Sequence, residues 1–374
     1  RKKIEEELLE KQKLIKEYGL ILEGPKKIFE IIKKELEELK NKYGDERRTE
    51  IQDKLPESIA EDDLIPEKET LITLSQNGYI KRMDPSVFRG QKRGGKGIIG
   101  YEGQDGEDFL IKILYANTKD DLFFFTDKGR MFKLKTFEIG EASRVAKGKT
   151  IQNYLTLNPQ EKVVSILKCS PEKERTSYKY LVIATAGGII KKSSLEEYNN
   201  IRKGGIIAIK LVKNDSLIGA DLTSGSDEII LITNNGQAIR FAEKEVRAMG
   251  RSASGVTGMK ISSEDKVVSL IVASGENNKE KSQIFAISEN GFGKKTGLKE
   301  YRKQKRGGHG IRTMKITGKT GHLIKASLIR EEEFLIAISQ KGQTIKSSLS
   351  AVPSLKRGTQ GVRIMKLNAD DKIG

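Results

Sequence analysis

The chain has few of the residues used for redox or metal chemistry. It holds a single cysteine, Cys169, which rules out an internal disulfide framework and suits a reducing, cytosolic compartment. Two histidines, His309 and His322, are the only imidazoles, and neither stands in a cysteine or carboxylate constellation, so no metal site is expected. No apolar run approaches the roughly 20 residues needed to cross a bilayer. The first residues, RKKIEEELLEKQK, are charged rather than signal-like, so no membrane partner is expected either. The sequence begins without Met and stops abruptly, and it reads as a piece of a longer chain.

What the chain has in abundance is positive charge. At 374 residues the formal charge is +17, which points to an acidic partner. The charge is unevenly placed: residues 1–70 hold 16 Lys and Arg against 20 Asp and Glu, so residues 71–374 carry +21. The first part is also different in pattern. Over residues 1–43, Leu8, Leu9, Ile15, Ile28, Ile31, Ile32, Leu36 and Leu39 recur at helical spacing. Gly24-Pro25 splits the run into two helices and Gly44 stops the second. Residues 52–70 are acidic with two prolines and read as a linker.

Beyond residue 70, short apolar runs alternate with glycine turns, and a repeat emerges. The runs LITLSQNG, LFFFTDKG, LVIATAGG, IILITNNG, IFAISENG and LIAISQKG end at Gly78, Gly129, Gly188, Gly236, Gly291 and Gly342, spaced by 48–59 residues. Three of these turns are Asn-Gly, a strong hairpin signal. Three residues before each anchor stands Ser75, Thr126, Thr185, Thr233, Ser288 or Ser339. Four residues after stands a cation: Arg82, Lys133, Lys192, Arg240, Lys295 or Lys346. Fifteen after stands another: Arg93, Arg144, Lys203, Arg251, Arg306 or Arg357. Nineteen after, five of six are glycine, with Ile207 the exception. Each unit then closes on a strand-like segment, and the sixth stops at DDKIG inside its equivalent. Units of this length and strand content predict a mainly β, six-bladed propeller-type array, because single blades cannot bury their faces alone.

Between the second cation column and the glycine column lies a basic loop, fullest at QKRGGKG (91–97). Weaker copies are SRVAKGK (143–149), RKGGII (202–207), GRSASGV (250–256), QKRGGHG (304–310) and KRGTQGV (356–362). Glycine exposes backbone N–H groups and the cations add charge, which is the chemistry of a phosphate seat. Set blade by blade around a disc, such loops make a basic belt that fits the backbone of a bent duplex. Aromatic residues are 6% of the chain and Trp is absent, so stacking on unpaired bases is disfavoured and contact with little sequence choice is expected. The alternative is that glycines serve turns and cations only solubilise a β-rich protein.

QKRGGKG resembles the glutamine-initiated box of the C-terminal domain of the DNA gyrase A subunit, and it lies in the first repeat, as in that family. KYGDERRTEI (42–51) resembles the end of the coiled-coil helices of the breakage–reunion part of the same polypeptide. DLIPEKETLITLSQNGYIKR (63–82) resembles the entry to the first blade. The resemblance implies a helical coiled-coil tail at 1–51, an acidic linker at 52–70, and a six-bladed β-pinwheel at 71–374 with its last blade truncated. It implies a bacterial, cytoplasmic, nucleoid-associated protein that wraps duplex DNA with positive handedness. The rest of the gyrase A subunit, together with the gyrase B subunit, would then introduce negative supercoils with ATP and Mg. The family box carries over to Gln91, Lys92, Arg93, Gly94, Gly95, Lys96 and Gly97, with Lys92 in place of the more usual Arg. With both cation columns and the neighbouring Lys147, Arg202, Lys305 and Lys356, these form the expected DNA-contacting set.

Catalysis is not expected of this chain. That family cleaves DNA with a tyrosine preceded by an arginine, and none of the ten tyrosines here follows an Arg. The GKT tripeptides at 148–150 and 318–320 have Ser143 and Thr313 where a Walker A loop needs glycine, so no cofactor is expected. The corresponding chain of topoisomerase IV has a similar domain with fewer blades or a degraded box, and the intact QKRGGKG argues against it. A scaffold for an acidic protein stays open, whereas a propeller enzyme would need a repeated acidic column that is not present.

Overall fold

Each apolar run that ends on an anchor glycine folds back as an antiparallel hairpin. The glycine N–H donates to the carbonyl of the Ser or Thr three residues earlier, at 3.0 Å for Gly78 and Ser75 and 3.1 Å for Gly188 and Thr185. All six anchors have positive φ, between 76° and 84°, which is why the column is glycine. The preceding Ser or Thr is buried, and in five hairpins its hydroxyl accepts the N–H of the residue after the glycine, as for Thr126 and Arg130 at 3.2 Å. In the fifth repeat the Ser288 hydroxyl instead donates to the Phe292 carbonyl. The Ser/Thr column is therefore a turn cap.

The computed structural model describes residues 1–45, 49, 64–85, 98–99, 108, 110–143, 146–169, 177–274, 282–329 and 334–374. Two units are distinguished, residues 1–60 and 61–374. In the second unit the first repeat contributes β1 (Glu69–Ser75), β2 (Tyr79–Met83), β3 (Ile98–Ile99) and β4 (Leu110–Asn117). The second gives β5 (Asp121–Thr126), β6 (Arg130–Lys135), β7 (Lys149–Thr150) and β8 (Val163–Cys169). The third gives β9 (Tyr180–Thr185), β10 (Ile189–Ser194), β11 (Ile206–Ile207) and β12 (Leu217–Thr223). The fourth gives β13 (Glu228–Thr233), β14 (Gln237–Ala242), β15 (Val256–Thr257) and β16 (Val267–Ala273). The fifth gives β17 (Gln283–Ser288), β18 (Phe292–Gly297), β19 (Ile311–Arg312) and β20 (Leu323–Ile329), and the sixth β21 (Phe334–Ile338), β22 (Gln343–Ser348) and β23 (Val362–Arg363).

The sheets do not coincide with the repeats. The first sheet runs β4-β1-β2-β7, so its last strand comes from the second repeat, and the next four sheets are built the same way. The remaining sheet, β21-β22-β3, takes its edge strand from the first repeat, through Ile98 opposite Thr344 and Ile99 opposite Gln343. Strand exchange thus links all the repeats into a propeller-like ring of five four-stranded sheets and one three-stranded sheet among the described residues. Beside β21, where the other sheets carry a closing strand, a cavity of about 380 Å³ is lined by Ile111, Phe285, Ile324 and Ile336.

The core lies between successive sheets rather than within any one of them. Phe124 and Leu122 of the second sheet pack with Ile72, Leu74 and Ile80 of the first, while Phe123 and Phe125 face Leu181 and Ile183 of the third. This is why the apolar run LFFF is continuous instead of alternating: both faces of β5 are covered.

In the first unit, α1 (Lys2–Leu22) and α2 (Pro25–Tyr43) meet at Gly24, with Pro25 at the first helical position, where its missing N–H costs nothing. The expected coiled coil is not seen. A coiled-coil seam buries its apolar positions, whereas no residue of either helix is buried and Ile15 and Leu36 remain 70% and 59% exposed.

Candidate nucleic-acid interface

Where they are described, the basic loops lead into the short outer strands, so they lie at the sheet edge away from the closing strands. Their glycines are fixed by close approach to the neighbouring sheet. A Cβ on Gly148, Gly255, Gly310 or Gly361 would come within 2.5–2.7 Å of a carbonyl oxygen of that sheet, and all four have positive φ. The third repeat, which breaks the glycine column at Ile207, is two residues shorter here. Gly205, with φ +72, directly precedes β11 and takes the equivalent place, its missing Cβ leaving room for the Phe132 ring. Successive loops are joined edge to edge: the Lys210 N–H donates to Ala253 O (3.2 Å), Lys260 N–H to Gly308 O (2.9 Å) and Lys315 N–H to Thr359 O (3.1 Å).

The cation column four residues after the anchors belongs to a different environment. Arg240 is buried, donates Nε to Glu228 at 2.7 Å, and donates Nη1 to the carbonyls of Leu298 and Tyr301 in the next repeat at 2.8 and 2.9 Å. Lys192 is buried against Glu243 of the next repeat, with Nζ 3.4 Å from Oε1 and 3.3 Å from the carbonyl. Arg82 reaches Ile139 O (3.2 Å) and Lys295 reaches Leu349 O (2.7 Å), again one repeat on. Lys133 pairs with Asp121 at 2.7 Å, and the Lys346 ammonium lies 4.7 Å from the centre of the Phe334 ring. This column was expected to face a nucleic acid; each of its side chains has a partner within the protein, and Arg82, Lys133, Lys295 and Lys346 remain partly exposed. For Lys192 and Arg240, with side chains 8% and 7% exposed, the charge is used to staple adjacent sheets and is withdrawn from solvent.

The second column sits at the surface where it is described. Lys203 is exposed, and Arg251, Arg306 and Arg357 are half-buried. Arg306 is partly committed, with Nε on Glu245 O and Nη1 on Thr257 O, both at 2.9 Å, and Arg357 Nη1 donates to Arg312 O at 3.0 Å. Lys147, Arg202, Lys305 and Lys356 are exposed. The box Gln91, Lys92, Arg93, Gly94, Gly95, Lys96 and Gly97, with Arg144, lies outside the described residues.

A third set of cations went unread in the sequence. Lys210, Lys260, Lys315 and Lys366 are exposed, and the backbone N–H groups of the first three bind the next loop directly. Their signal is the short pattern IKL, MKI, MKI and MKL just after the outer strand, in which the buried Ile209, Met259, Met314 and Met365 fix the lysine outward.

Among the described residues, Lys81, Lys191 and Lys294 are lysines that lie fully beneath the surface. Lys81 Nζ donates to the carbonyls of Ser143 (3.1 Å) and Ala146 (2.6 Å). Lys191 Nζ donates to Ala208 O (2.5 Å) and Arg251 O and lies 3.4 Å from the Tyr198 hydroxyl. Lys294 Nζ has three acceptors, Lys356 O (2.7 Å), Arg357 O (2.5 Å) and Thr359 Oγ1 (3.1 Å). Burial lowers Lys191 to about 8, Glu197 opposing and Arg251 adding to the shift. Burial also lowers Lys294 to about 8, with Arg357 adding and Glu300 opposing. Among the described residues, no group of three or more His, Cys, Asp or Glu could hold a metal ion, and no helix is long and apolar enough to cross a membrane.

Comparison with known proteins places these features in a family. The family described as DNA gyrase C-terminal domain, beta-propeller, matches residues 69–117, 120–170, 179–224, 227–274, 282–330 and 333–373. The DNA gyrase A subunit of Staphylococcus epidermidis is 40% identical over 98% of this chain and 40% of its own length. That of Clostridium acetobutylicum is 42% identical over 100% of this chain and 44% of its own. The chain therefore spans about two fifths of the length of these relatives. Among solved structures, a DNA gyrase A C-terminal domain superposes with a TM-score of 0.71 at 25% identity, covering 82% of this chain and 98% of that one. A C-terminal domain of DNA topoisomerase IV shares the fold, with a TM-score of 0.62 at 23% identity over 83% and 92%.

Proposed function

The chain belongs to the DNA gyrase C-terminal domain family, and from that premise we propose that it is a six-bladed β-pinwheel whose basic outer edge binds, bends and wraps duplex DNA. The wrap is positive-handed and nearly indifferent to sequence. In the longer protein it presents DNA to the remainder of the gyrase A subunit, which works with the gyrase B subunit. Those parts carry out ATP- and Mg-dependent strand passage and negative supercoiling, while the present chain contributes neither cleavage nor ATP hydrolysis.

The recurrence of exposed or half-buried cations at one place in successive repeats supports this reading. Lys203 and Lys210, Arg251 and Lys260, Arg306 and Lys315, and Arg357 and Lys366 flank consecutive outer strands. A duplex carries one negative charge per roughly 1.7 Å of axis, so a row of such pairs meets a row of phosphates. The proposed contacts are these residues with Lys147, Arg202, Lys305 and Lys356, and, from the sequence, Arg144 and the box at 91–97. Arg82, Lys133, Lys192, Arg240, Lys295 and Lys346 are left out of the contact set because they are engaged within the protein.

The test is the affinity for a random-sequence duplex as a function of salt. Six or more phosphate contacts predict a loss of about 10³-fold or more between 50 and 200 mM salt. A shallow slope, with equal affinity for polyglutamate, would instead favour a scaffold for acidic proteins.

A further inference from the structure

The residue three positions after each anchor glycine alternates in kind around the ring: Lys81, Phe132, Lys191, Ile239, Lys294 and Ile345. All six are buried, on the strand that receives the outer strand of the following repeat. The loops above them alternate as well. Those that follow Phe132, Ile239 and Ile345 carry a glycine doublet, Gly204-Gly205, Gly307-Gly308 and, in sequence, Gly94-Gly95. Those that follow the lysines, 143–149, 250–256 and 356–362, carry none.

We propose that Lys191 and Lys294 are positioning residues that preset the loops of the fourth and sixth repeats as phosphate seats, Lys81 gathering the carbonyls of Ser143 and Ala146 in the same manner, and that these alternate in sequence with glycine-doublet loops of another kind. The proposal rests on the DNA-binding reading given above. Its physical basis is the direction of the peptide groups. In a trans peptide the C=O and the following N–H point opposite ways, so a carbonyl drawn inward to an ammonium turns its partner N–H outward. The carbonyls of Ala146, Arg251, Lys356 and Arg357 point in, toward Nζ. The N–H groups of Lys147, Ser252, Arg357 and Gly358 accordingly face out, and none has a protein acceptor among the described residues. Outward N–H groups ringed by Lys147, Arg251, Lys356 and Arg357, with an ammonium behind them, form an anion-binding concavity.

The glycine-doublet loop of the fifth repeat is held differently, while in the third the Arg130 guanidinium donates to the Gly204 carbonyl at 2.5 Å. At Ile239 an apolar side chain lies under Gly308, where a Cβ would be 3.5 Å from Cδ1, and no ammonium gathers the carbonyls. The restraint there comes from Arg306 on Glu245 and Thr257 and from the Gly307 N–H on Gly258 O at 2.6 Å.

The test is Lys191→Met and Lys294→Met, singly and together, with Ile239→Met as control, each checked for folding by thermal denaturation. Affinity for a labelled duplex is then measured against salt. Neither lysine can reach a phosphate, so a purely structural role leaves the salt slope unchanged. Positioning predicts that the slope falls by about 1 for each lysine and about 2 for the pair, with no change for Ile239→Met. An unchanged slope in folded lysine variants, or an equal fall in the control, overturns the proposal. Should the variants not fold, the unaltered chain is titrated from pH 7 to 9.5. Lys191 is faced by Tyr198, Glu197 and Arg251, and Lys294 by Arg357 and Glu300, so the slope should fall as the pH passes about 8. A slope constant across that range also overturns it. If the unaltered chain shows no salt-dependent duplex binding at all, the DNA-binding reading itself has failed.

Discussion

Replacing Arg240 by methionine separates the two roles open to a repeated cation. The guanidinium donates to Glu228 through Nε at 2.7 Å and through Nη2, and Nη1 spans to Leu298 O and Tyr301 O of the next repeat at 2.8 and 2.9 Å. Methionine keeps most of the packing volume and removes every one of these donors. Lys303 would remain beside Glu228, but a buried carboxylate would lose its main partner and two carbonyls their donor. Breaking a buried pair in this way costs about 3–5 kcal/mol, a large share of the roughly 5–15 kcal/mol that holds a domain folded. Urea unfolding should show that loss, and Arg240→Met with Glu228→Gln should be less destabilised than the sum of the two changes. Burial alone pushes the Glu228 carboxyl up, but hydrogen bonds and charge from Lys303 and Arg240 outweigh it and hold the group below the ordinary carboxylate range. A depressed carboxylate adds stability that is complete above its unfolded value and is lost as the pH falls through the folded one. The deficit of Arg240→Met should therefore be largest at neutral pH and shrink below about pH 4. The salt slope for duplex binding should not move. Unchanged stability together with a slope lower by about one contact would refute the assignment of Arg240 as an inter-sheet staple.

Three other outcomes are expected. Substituting Lys210, Lys260, Lys315 and Lys366 together by alanine should leave the melting temperature within a few degrees and lower the salt slope by about 3–4; a slope that stays put would remove the MKI column from the edge. Gly310→Ala should be destabilised by more than about 1 kcal/mol in thermal or urea unfolding, because its φ is +79 and the new Cβ would lie 2.5 Å from Ala238 O, whereas Gly250→Ala, with open space around it, should be near neutral. Lys191 and Lys294, lowered to about 8, bind fewer protons folded than unfolded between about pH 8 and 10.5, so stability should rise with pH across that window. Lys191→Met/Lys294→Met should flatten that rise in pH-dependent unfolding.

The repeat and its turns were legible because they rest on backbone geometry that few residues satisfy. A hairpin needing positive φ writes glycine at Gly78, Gly129 and their counterparts, and a buried cap writes Ser or Thr three places earlier. The same logic did not reveal the burial of Arg240 and Lys192. Sequence spacing reports that a cation recurs, not whether a carboxylate such as Glu243 waits for it in the next repeat. Strand exchange left almost no trace, since a two-residue strand such as Val256–Thr257 has no periodicity to detect. Ile207 looked like a broken column because a two-residue shortening moved its glycine to Gly205. The Leu and Ile spacing of residues 1–43 marked the two helices, whereas the coiled coil came from the likeness of residues 42–51 to a known segment, and an apolar stripe alone does not say what covers it.

The central claim, that the basic edge wraps a duplex, is tested most directly by plasmid topology. The chain is bound to relaxed circular DNA, the DNA is relaxed again with a nicking–closing enzyme, and the protein is stripped before the topoisomers are resolved. The account predicts a protein-dependent shift to positive linking difference, lost when residues 91–97 are replaced by alanine and weakened when Lys210, Lys260, Lys315 and Lys366 are. Tight binding with no shift in linking number would contradict it.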